Sequence, residues 1–271
     1  MGFSRLFLLL LSSAFHINLS SSKVALYFRY NCSISHGNFT ANSPYEANLN
    51  RLFSQLKSSD QDFNYGFYNI SVGQSPDQVN AIALCRGDQN ENNCRNCLSE
   101  TISSLQEVCP RNKEAIAWSQ QLCTVRYSTR KIIGVMEVDP FDKINRFASQ
   151  SVPLDVNDFD RALSFLLKNL SVGAATGDSL LKFAAGSTVS SQSIYAMMQC
   201  TPDLSHENCS ACLATASDRM RTFCYGNTGC RIVQPSCFLK YGIVNFFDDS
   251  AKSTIVPFSP PPPTPTATEG S

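Results

Sequence analysis

The chain has 271 residues, with 22 basic and 22 acidic side chains, and 43% of its residues are hydrophobic. Because the net charge is zero, there is no electrostatic reason to expect binding to nucleic acid or to an anionic membrane surface. The length is sufficient for two domains of about a hundred residues, each able to bury its own core.

The N-terminus has the pattern of an export signal. Arg5 supplies a positive charge, an apolar run follows from Leu6 to Leu11, and small residues stand at positions 20–22. This run is shorter than the roughly 20 apolar residues that cross a bilayer. We therefore predict a cleaved signal peptide over residues 1–22 and no membrane span in the rest of the chain.

The first half contains two helix patterns. Ser43-Pro-Tyr-Glu46 predicts a helix start, because serine caps a first turn, proline fits its first position and glutamate completes a capping box. An apolar stripe follows at Leu49, Leu52, Phe53 and Leu56. A second helix is predicted from about Glu91 to Val108, with one face formed by Cys94, Cys97, Leu98, Ile102 and Leu105.

Strand patterns lie around these helices. Residues 66–72 and 132–138 are rich in β-branched or aromatic side chains, and residues 115–127 show partial alternation. We expect these segments to form an antiparallel sheet under the helices. Residues 139–153 are the predicted inter-domain connection, whose Phe141, Ile144 and Phe147 indicate domains that pack on each other.

The second half follows the same plan. A helix stripe is predicted to begin near Phe159, with Asp155 or Asn157 as its cap, and Ser205 is predicted to cap the helix that carries the later cysteine motif. Strand material is expected at residues 231–247. The segment after Pro257 is a polyproline stretch, which predicts an extended spacer.

Cysteine spacing divides the chain into two similar parts. The motif C-x8-C-x2-C begins at Cys85 and returns at Cys200, and a fourth cysteine follows twelve residues after each motif. The repeat indicates a tandem duplication, with domains at residues 23–138 and 139–250 and a tail at residues 251–271. Each part holds six of the 12 cysteines, namely Cys32, Cys85, Cys94, Cys97, Cys109 and Cys123, then Cys200, Cys209, Cys212, Cys224, Cys230 and Cys237.

The cysteines are predicted to form structural disulfides, because an even number at repeated spacing in an exported chain is typical of a disulfide framework. A Cys-x2-Cys pair can also be half of a zinc site, but the two pairs here lie in separate repeats. Thiol redox catalysis is not indicated either, because the sequence lacks a thioredoxin-like βαβ pattern. We therefore predict no metal and no cofactor.

The sequence offers little for catalysis. Outside the signal it has only His36, in a polar loop, and His206, in a predicted first helical turn, and it has no phosphate-binding loop or hydrolase serine motif. Carbohydrate binding is an alternative, because Trp118 and the many Tyr and Asn residues suit a sugar site, although they equally suit a core and turns. Arg231 is a candidate ligand-binding residue or a salt-bridge residue.

Glycosylation sequons support an extracellular compartment. Five of them lie outside the predicted signal, and we expect Asn38 and Asn69 to be used. The five candidate asparagines are Asn31, Asn38, Asn69, Asn169 and Asn208.

The repeated cysteine motif and its flanks resemble the plant ginkbilobin-homologous domain, a cysteine-rich domain of unknown function. The flanks include Asn38-Phe-Thr-Ala-Asn-Ser and Ala83-Leu-Cys-Arg-Gly-Asp in the first copy, and Gln199-Cys-Thr-Pro-Asp-Leu-Ser in the second. The resemblance covers about residues 25–248. Two such domains behind a signal peptide are similar to the ectodomains of cysteine-rich receptor-like kinases and to cysteine-rich repeat secretory proteins.

The resemblance implies an α+β fold in which each domain has two helices on a five-stranded antiparallel sheet and three disulfides. It implies that the first copy pairs Cys85 with Cys94, Cys97 with Cys123, and Cys32 with Cys109. In the second copy it implies that Cys200 pairs with Cys209 and Cys212 with Cys237. That copy lacks a counterpart of Cys32 and has Cys230 instead, so Cys224 is left to pair with Cys230.

The founding member of the family binds mannose through an Asn after the first cysteine, an Arg six residues before the last one and a Glu five residues after it. In the first copy these places hold Ser33, Ala117 and Ser128. In the second copy only Arg231 matches, because Gly242 replaces the Glu and the Asn has no counterpart. Mannose binding of that kind is therefore not expected.

We predict a secreted, non-catalytic recognition module of the apoplast that acts in stress or defence signalling, a role that rests on the resemblance. Its ligand is an unknown protein, peptide or cell-wall carbohydrate, and association with receptor-like kinases is an expected mode of action. The alternatives are an antifungal mannose-binding lectin, a receptor-like kinase truncated before its membrane helix and kinase domain, and a thiol oxidoreductase, which would carry free thiols.

Overall fold

The computed structural model describes residues 28–33, 35–58, 62–119, 122–144, 155–189 and 192–247. The predicted signal peptide and proline-rich tail lie outside the described residues, as does Phe147 of the predicted connection. Both copies have the predicted α+β architecture, in which two helices cover one face of a five-stranded antiparallel sheet.

The first copy has the strand order β1-β4-β5-β3-β2. Its strands are β1 Phe28–Cys32, β2 Phe67–Val72, β3 Val79–Cys85, β4 Glu114–Ser119 and β5 Cys123–Ser128. Its helices are α1 Pro44–Lys57 and α2 Glu91–Val108. The bounds of α2 are those predicted from the sequence.

The second copy repeats this topology with the order β6-β9-β10-β8-β7. Its strands are β6 Asp142–Ile144, β7 Lys182–Val189, β8 Ser193–Cys200, β9 Cys230–Val233 and β10 Cys237–Gly242. Its helices are α3 Val156–Ala175 and α4 His206–Cys224.

Side-chain caps fix where the helices begin. The Ser43 hydroxyl accepts a hydrogen bond from the Glu46 amide at 3.3 Å, as in the predicted capping box. The Glu46 carboxylate accepts the return hydrogen bond from the Asn42 amide, one residue before the expected Ser43 amide. Asp155, one of the two predicted caps, accepts hydrogen bonds from the first turn of α3. Ser205 caps α4 as predicted.

The apolar helix stripes form the two cores. Leu49, Leu52, Phe53 and Leu56 of α1 are all at most 5% exposed, and they belong to one cluster with the helix-facing side chains of the first sheet. In the second copy the corresponding stripe on α3 is Phe159, Ala162, Leu163, Leu166, Leu167 and Leu170. Each helix therefore binds its own sheet through one buried face.

Three disulfides join helix and sheet in each copy. In the first copy they link Cys32 with Cys109, Cys85 with Cys94, and Cys97 with Cys123. In the second they link Cys200 with Cys209, Cys212 with Cys237, and Cys224 with Cys230. These are the pairs that the family resemblance implies, and they leave no free cysteine in the chain.

The strand predicted at residues 132–138 is wrong. This segment is a turn followed by irregular chain, because Gly134 adopts a φ of +73° and its amide donates to an Asp203 carboxylate oxygen at 2.6 Å. Ile132 is fully buried against the side of the first sheet that faces away from the helices. The predicted connection also begins with a strand, since β6 pairs with β9 at the edge of the second sheet.

The two sheets pack against each other through the faces that the helices leave uncovered. Along β4, Ala115 and Ala117 point into the helix-side core, whereas Ile116 and Trp118 point the other way. These two side chains form a separate cluster with Val233 and Phe238 of the second copy. The packing of one domain on the other agrees with the expectation from the apolar residues of the connection.

Candidate functional site

Arg231, the sequence-predicted ligand-binding residue, lies in β9 at the contact between the two copies. It is 3% exposed, and its Nη2 is 3.9 Å from an Asp142 carboxylate oxygen. The same oxygen is 3.9 Å from Nε of Arg29 in β1, so this carboxylate lies between cations of both copies. Arg231 is therefore the buried member of a charge cluster that spans both copies.

The cavity beside Arg231 is small. It has a volume of about 30 Å³ and is lined by residues of both copies, including Trp118, Phe238 and Lys240. A volume of this size holds about one water molecule. A sugar ring does not fit there.

Three cations come together around this cavity. Arg86, which follows the first cysteine of the first motif, donates to both carboxylate oxygens of Asp88 at 2.5 and 2.8 Å. Arg86, Arg231 and Lys240 all line the cavity. Burial, together with the positive charges of Arg86 and Arg231, lowers the pKa of Lys240 to about 7.

Gln199 joins the two cysteine motifs directly. This fully buried side chain accepts a hydrogen bond from the Gly87 amide at 3.1 Å and donates one to the Cys85 carbonyl at 3.0 Å. A Cβ atom on Gly87 would lie 2.5 Å from the Phe183 ring, so only glycine allows this close approach. Sequence reasoning missed Gln199, although a polar residue in the apolar run 194–200 was a signal.

A second charge network links Glu137, just before the inter-domain connection, to the first sheet and to Ser236 of the second copy. Arg126 and Arg130 both donate to the Glu137 carboxylate, and Arg130 also donates to Glu114 at 2.7 Å. Burial opposes ionisation of Glu114, yet hydrogen bonds from Arg130 and Ser128 hold the pKa of this carboxyl below its ordinary value. The backbone groups of Glu137 hydrogen-bond Ser236, so the network reaches the second copy.

The residues weighed for carbohydrate binding are not assembled into a sugar site. Trp118 is 4% exposed and is covered by the second copy, so its ring is not available for stacking on a sugar. Ala117 and Ser128 are fully buried, and Ser128 donates to Glu114. Gly242 ends β10 and brings no carboxylate towards Arg231.

The two histidines outside the predicted signal, His36 and His206, belong to no catalytic arrangement among the described residues. His36 Nε2 is 3.1 Å from a Glu114 carboxylate oxygen at the surface, and His206 is the first residue of α4. Among the described residues, no group of three or more His, Cys, Asp or Glu side chains could hold a metal ion. The Cys-x2-Cys pairs are engaged in disulfides.

Four of the five sequon asparagines are exposed. Asn31, Asn38, Asn69 and Asn208 lie at the surface, whereas Asn169 is half-buried on α3 and its side-chain amide donates to the Phe165 carbonyl at 2.8 Å. A glycan on Asn169 would have to displace that hydrogen bond. The structure thus makes Asn169 the least accessible of the five.

Comparison with known proteins gives consistent results. Residues 31–130 and 148–243 match the family described as Salt stress response/antifungal. The Arabidopsis thaliana cysteine-rich repeat secretory protein 38 is 37% identical over 234 residues, which cover 85% of this chain and 90% of that protein. Cysteine-rich receptor-like protein kinase 26 of the same plant is 39% identical over 237 residues, 86% of this chain but 35% of the kinase.

The fold is also known from solved structures. The crystal structure of the tandem DUF26 ectodomain from the Arabidopsis thaliana cysteine-rich receptor-like protein PDLP8 matches with a TM-score of 0.67 at 23% identity, covering 80% of this chain and 97% of that one. The chain spans about a third of the receptor-like kinases it resembles. No helix in the described part of the chain is long and apolar enough to cross a membrane.

Proposed function

The chain belongs to the Salt stress response/antifungal family, and we propose that it acts as an extracellular recognition module in stress or defence signalling. The match along 90% of a secretory protein and the tandem ectodomain fold support a non-catalytic module. The observation that supports recognition most strongly is the scaffold. Two domains with six disulfides are joined back to back, in the fold of a receptor ectodomain.

We place this activity in the apoplast. The match to a secretory protein along 90% of its length supports secretion, and the pairing of all 12 cysteines fits an oxidising compartment. The domain limits that we propose are residues 23–138 and 139–250, behind a cleaved signal at 1–22 and before a spacer at 251–271. Asn38 and Asn69 are the proposed glycosylation sites, since both are exposed.

We propose that Arg231 organises the contact between the domains. Its burial and its position beside Asp142 support this role. The same burial argues against the antifungal mannose-binding alternative, because a sugar would have to separate the domains to reach the guanidinium group. The thiol oxidoreductase alternative needs free thiols, and a thiol titration of the purified protein tests it.

A second role follows from the receptor-like kinase relatives. Since the chain matches a third of their length, we propose that the corresponding segment is the sensing part of those receptors, and that this chain acts in association with receptor-like kinases. A transcript that continues into a membrane helix and a kinase domain would establish the truncated-receptor alternative.

The test of the proposed function uses the full chain, tagged and expressed in plant cells. We expect it in apoplastic fluid without titratable thiols. On a panel of cell-wall polysaccharides, peptides and receptor-like kinase ectodomains, we expect saturable binding to one class that is lost after reduction and alkylation. Retention inside the cell, or saturable binding to none of these classes, would contradict the proposal.

A further inference from the structure

A second cavity opens on the other side of Lys240. Its volume is about 280 Å³, and its walls are Thr228, which precedes β9, and residues 240–246, which include the end of β10 and the segment after it. We call this cavity the Lys240 pocket. This volume is just below the roughly 300–1,000 Å³ of pockets for drug-sized ligands, so the pocket suits a smaller molecule.

One wall of the Lys240 pocket is apolar. It is lined by Ile243, Val244 and Phe246, and Val244 is 73% exposed at the protein surface. The first copy helps to hold this wall, because Arg86 Nη2 lies 3.4 Å from the Phe246 carbonyl. The pocket is therefore formed by the second copy and lies next to the domain junction, where ligand sites commonly occur.

The inner end of the pocket is positively charged. The Lys240 ammonium lies 3.9 Å from the centre of the Phe246 ring, and Arg86 and Arg231 are near enough to affect its ionisation. Asp88 pairs with Arg86, and Asp142 lies beside Arg231. When Lys240 is protonated, the cations Lys240, Arg86, Arg231 and Arg29 outnumber the carboxylates Asp88 and Asp142, so positive charge is in excess next to the apolar wall.

The first copy does not repeat this arrangement. The residue three positions after its last cysteine is Arg126, the counterpart of Lys240 by spacing. Arg126 donates to the Glu137 carboxylate, which neutralises its charge, whereas Lys240 lies near Arg86 and Arg231 as well as Asp88. The excess of cations is thus found around Lys240 and not around Arg126.

We propose that the Lys240 pocket binds a small organic carboxylate with an apolar body. The carboxylate accepts hydrogen bonds from the Lys240 ammonium, and the body lies against Ile243, Val244 and Phe246. This inference rests on the proposed recognition function and gives it a ligand class. A bound anion favours the charged form of Lys240, so the lysine pKa rises from about 7 and binding at a higher pH takes up a proton.

The experiment is calorimetric titration of the secreted, oxidised full chain at about pH 8, in buffers of different ionisation enthalpy. The probes are benzoate, the neutral analogue benzamide, and galacturonate, a carboxylate without an apolar body. We expect benzoate to bind with proton uptake. Benzamide should bind at least about tenfold more weakly because it lacks the charged group that Lys240 would hydrogen-bond, and galacturonate should bind at least about tenfold more weakly because it buries no apolar body.

Lys240→Met tests the residue directly, and Lys168→Met on exposed α3 is the matched control. We expect Lys240→Met to weaken benzoate binding at least about tenfold and Lys168→Met to leave it unchanged. Equal binding of benzoate and benzamide, binding without proton uptake, or an unchanged Lys240→Met would each overturn the proposal.

Circular dichroism shows whether Lys240→Met is folded. If this variant is unfolded, the proposal is tested by the wild type alone, through the comparison of benzoate with benzamide and the number of protons taken up. A failure here is distinguishable from failure of the proposed function, because the partner panel is read on the same wild-type protein without any small carboxylate. Partner binding without benzoate binding would reject the pocket and keep the recognition role.

Discussion

Replacing Gln199 by leucine removes the two hydrogen bonds that link the residue before the second cysteine motif to Cys85 and Gly87 of the first. Leucine has nearly the same size, so the packing is kept while the Gly87 amide and the Cys85 carbonyl lose their partner. Each buried group left without a hydrogen bond costs about 1–3 kcal/mol. Because Gly87 is only half-buried, we expect about 2–4 kcal/mol for the pair.

The lost hydrogen bonds weaken the contact between the domains. Two probes distinguish separation of the domains from unfolding within each domain. Trp118 is the only tryptophan and lies in the contact, and its fluorescence therefore reports separation of the sheets. Far-UV circular dichroism reports the helices and strands of both copies. In urea, we expect the two signals to coincide for the wild type, and the fluorescence change to come first for Gln199→Leu.

Gln106→Leu is the matched control, because Gln106 is exposed and its amide reaches only Asn50, at 3.5 Å. Its effect should stay within about 0.5 kcal/mol. Coincident transitions in Gln199→Leu, at a urea midpoint equal to that of the control, would show that Gln199 does not hold the domains together and would refute the reasoning.

Three further predictions concern charge, disulfides and glycans. The pKa of Lys240 is about 7 in the folded protein and 10.5 in the unfolded chain, so the unfolded chain binds more protons between these values. The free energy of unfolding of the wild type, measured in urea, should therefore rise relative to that of Lys240→Met from pH 7 towards pH 10. A difference that does not change with pH would contradict this prediction. The double variant Cys97→Ser, Cys123→Ser removes a disulfide between residues 26 positions apart and should lower the free energy of unfolding by about 2–4 kcal/mol. An unchanged urea midpoint would contradict a stabilising role for this disulfide. Asn69→Gln should remove one glycan mass from the secreted protein and Asn169→Gln none, and mass spectrometry showing the reverse would reject the assignment.

The helices were predictable because their signals are local. A cap at Ser43 or Ser205 and one apolar stripe are enough to define a helix that buries a single face. The motif residues Cys94 and Cys97 also define the buried face of α2. The tandem organisation followed from spacing alone.

Several strands were not predicted, because their sheets are covered on both sides. Every residue of β3 is buried, so the strand has no polar alternation and no period to detect. The helices cover one face and the other copy covers the opposite one. A pattern argument that assumes one solvated face fails for such a strand.

The inter-domain site was hidden for the same reason. Trp118 was weighed as a sugar-site or core residue and Arg231 as a ligand-binding or salt-bridge residue, since nothing local shows that another domain covers them. Gln199 and Lys240 are polar residues within buried strands, which is a signal that something must satisfy them. Which residues satisfy them depends on the packing of the two copies, and a single sequence does not contain that information.

The most direct test of the account is a glycan-array and cell-wall polysaccharide screen of the secreted, oxidised protein beside Arg231→Ala. Because Arg231 is buried between two docked domains, we predict no mannose-specific binding by either protein and a lower urea midpoint for Arg231→Ala. Mannose-specific binding by the wild type that Arg231→Ala abolishes would contradict it, because Arg231 would then be a ligand-binding residue.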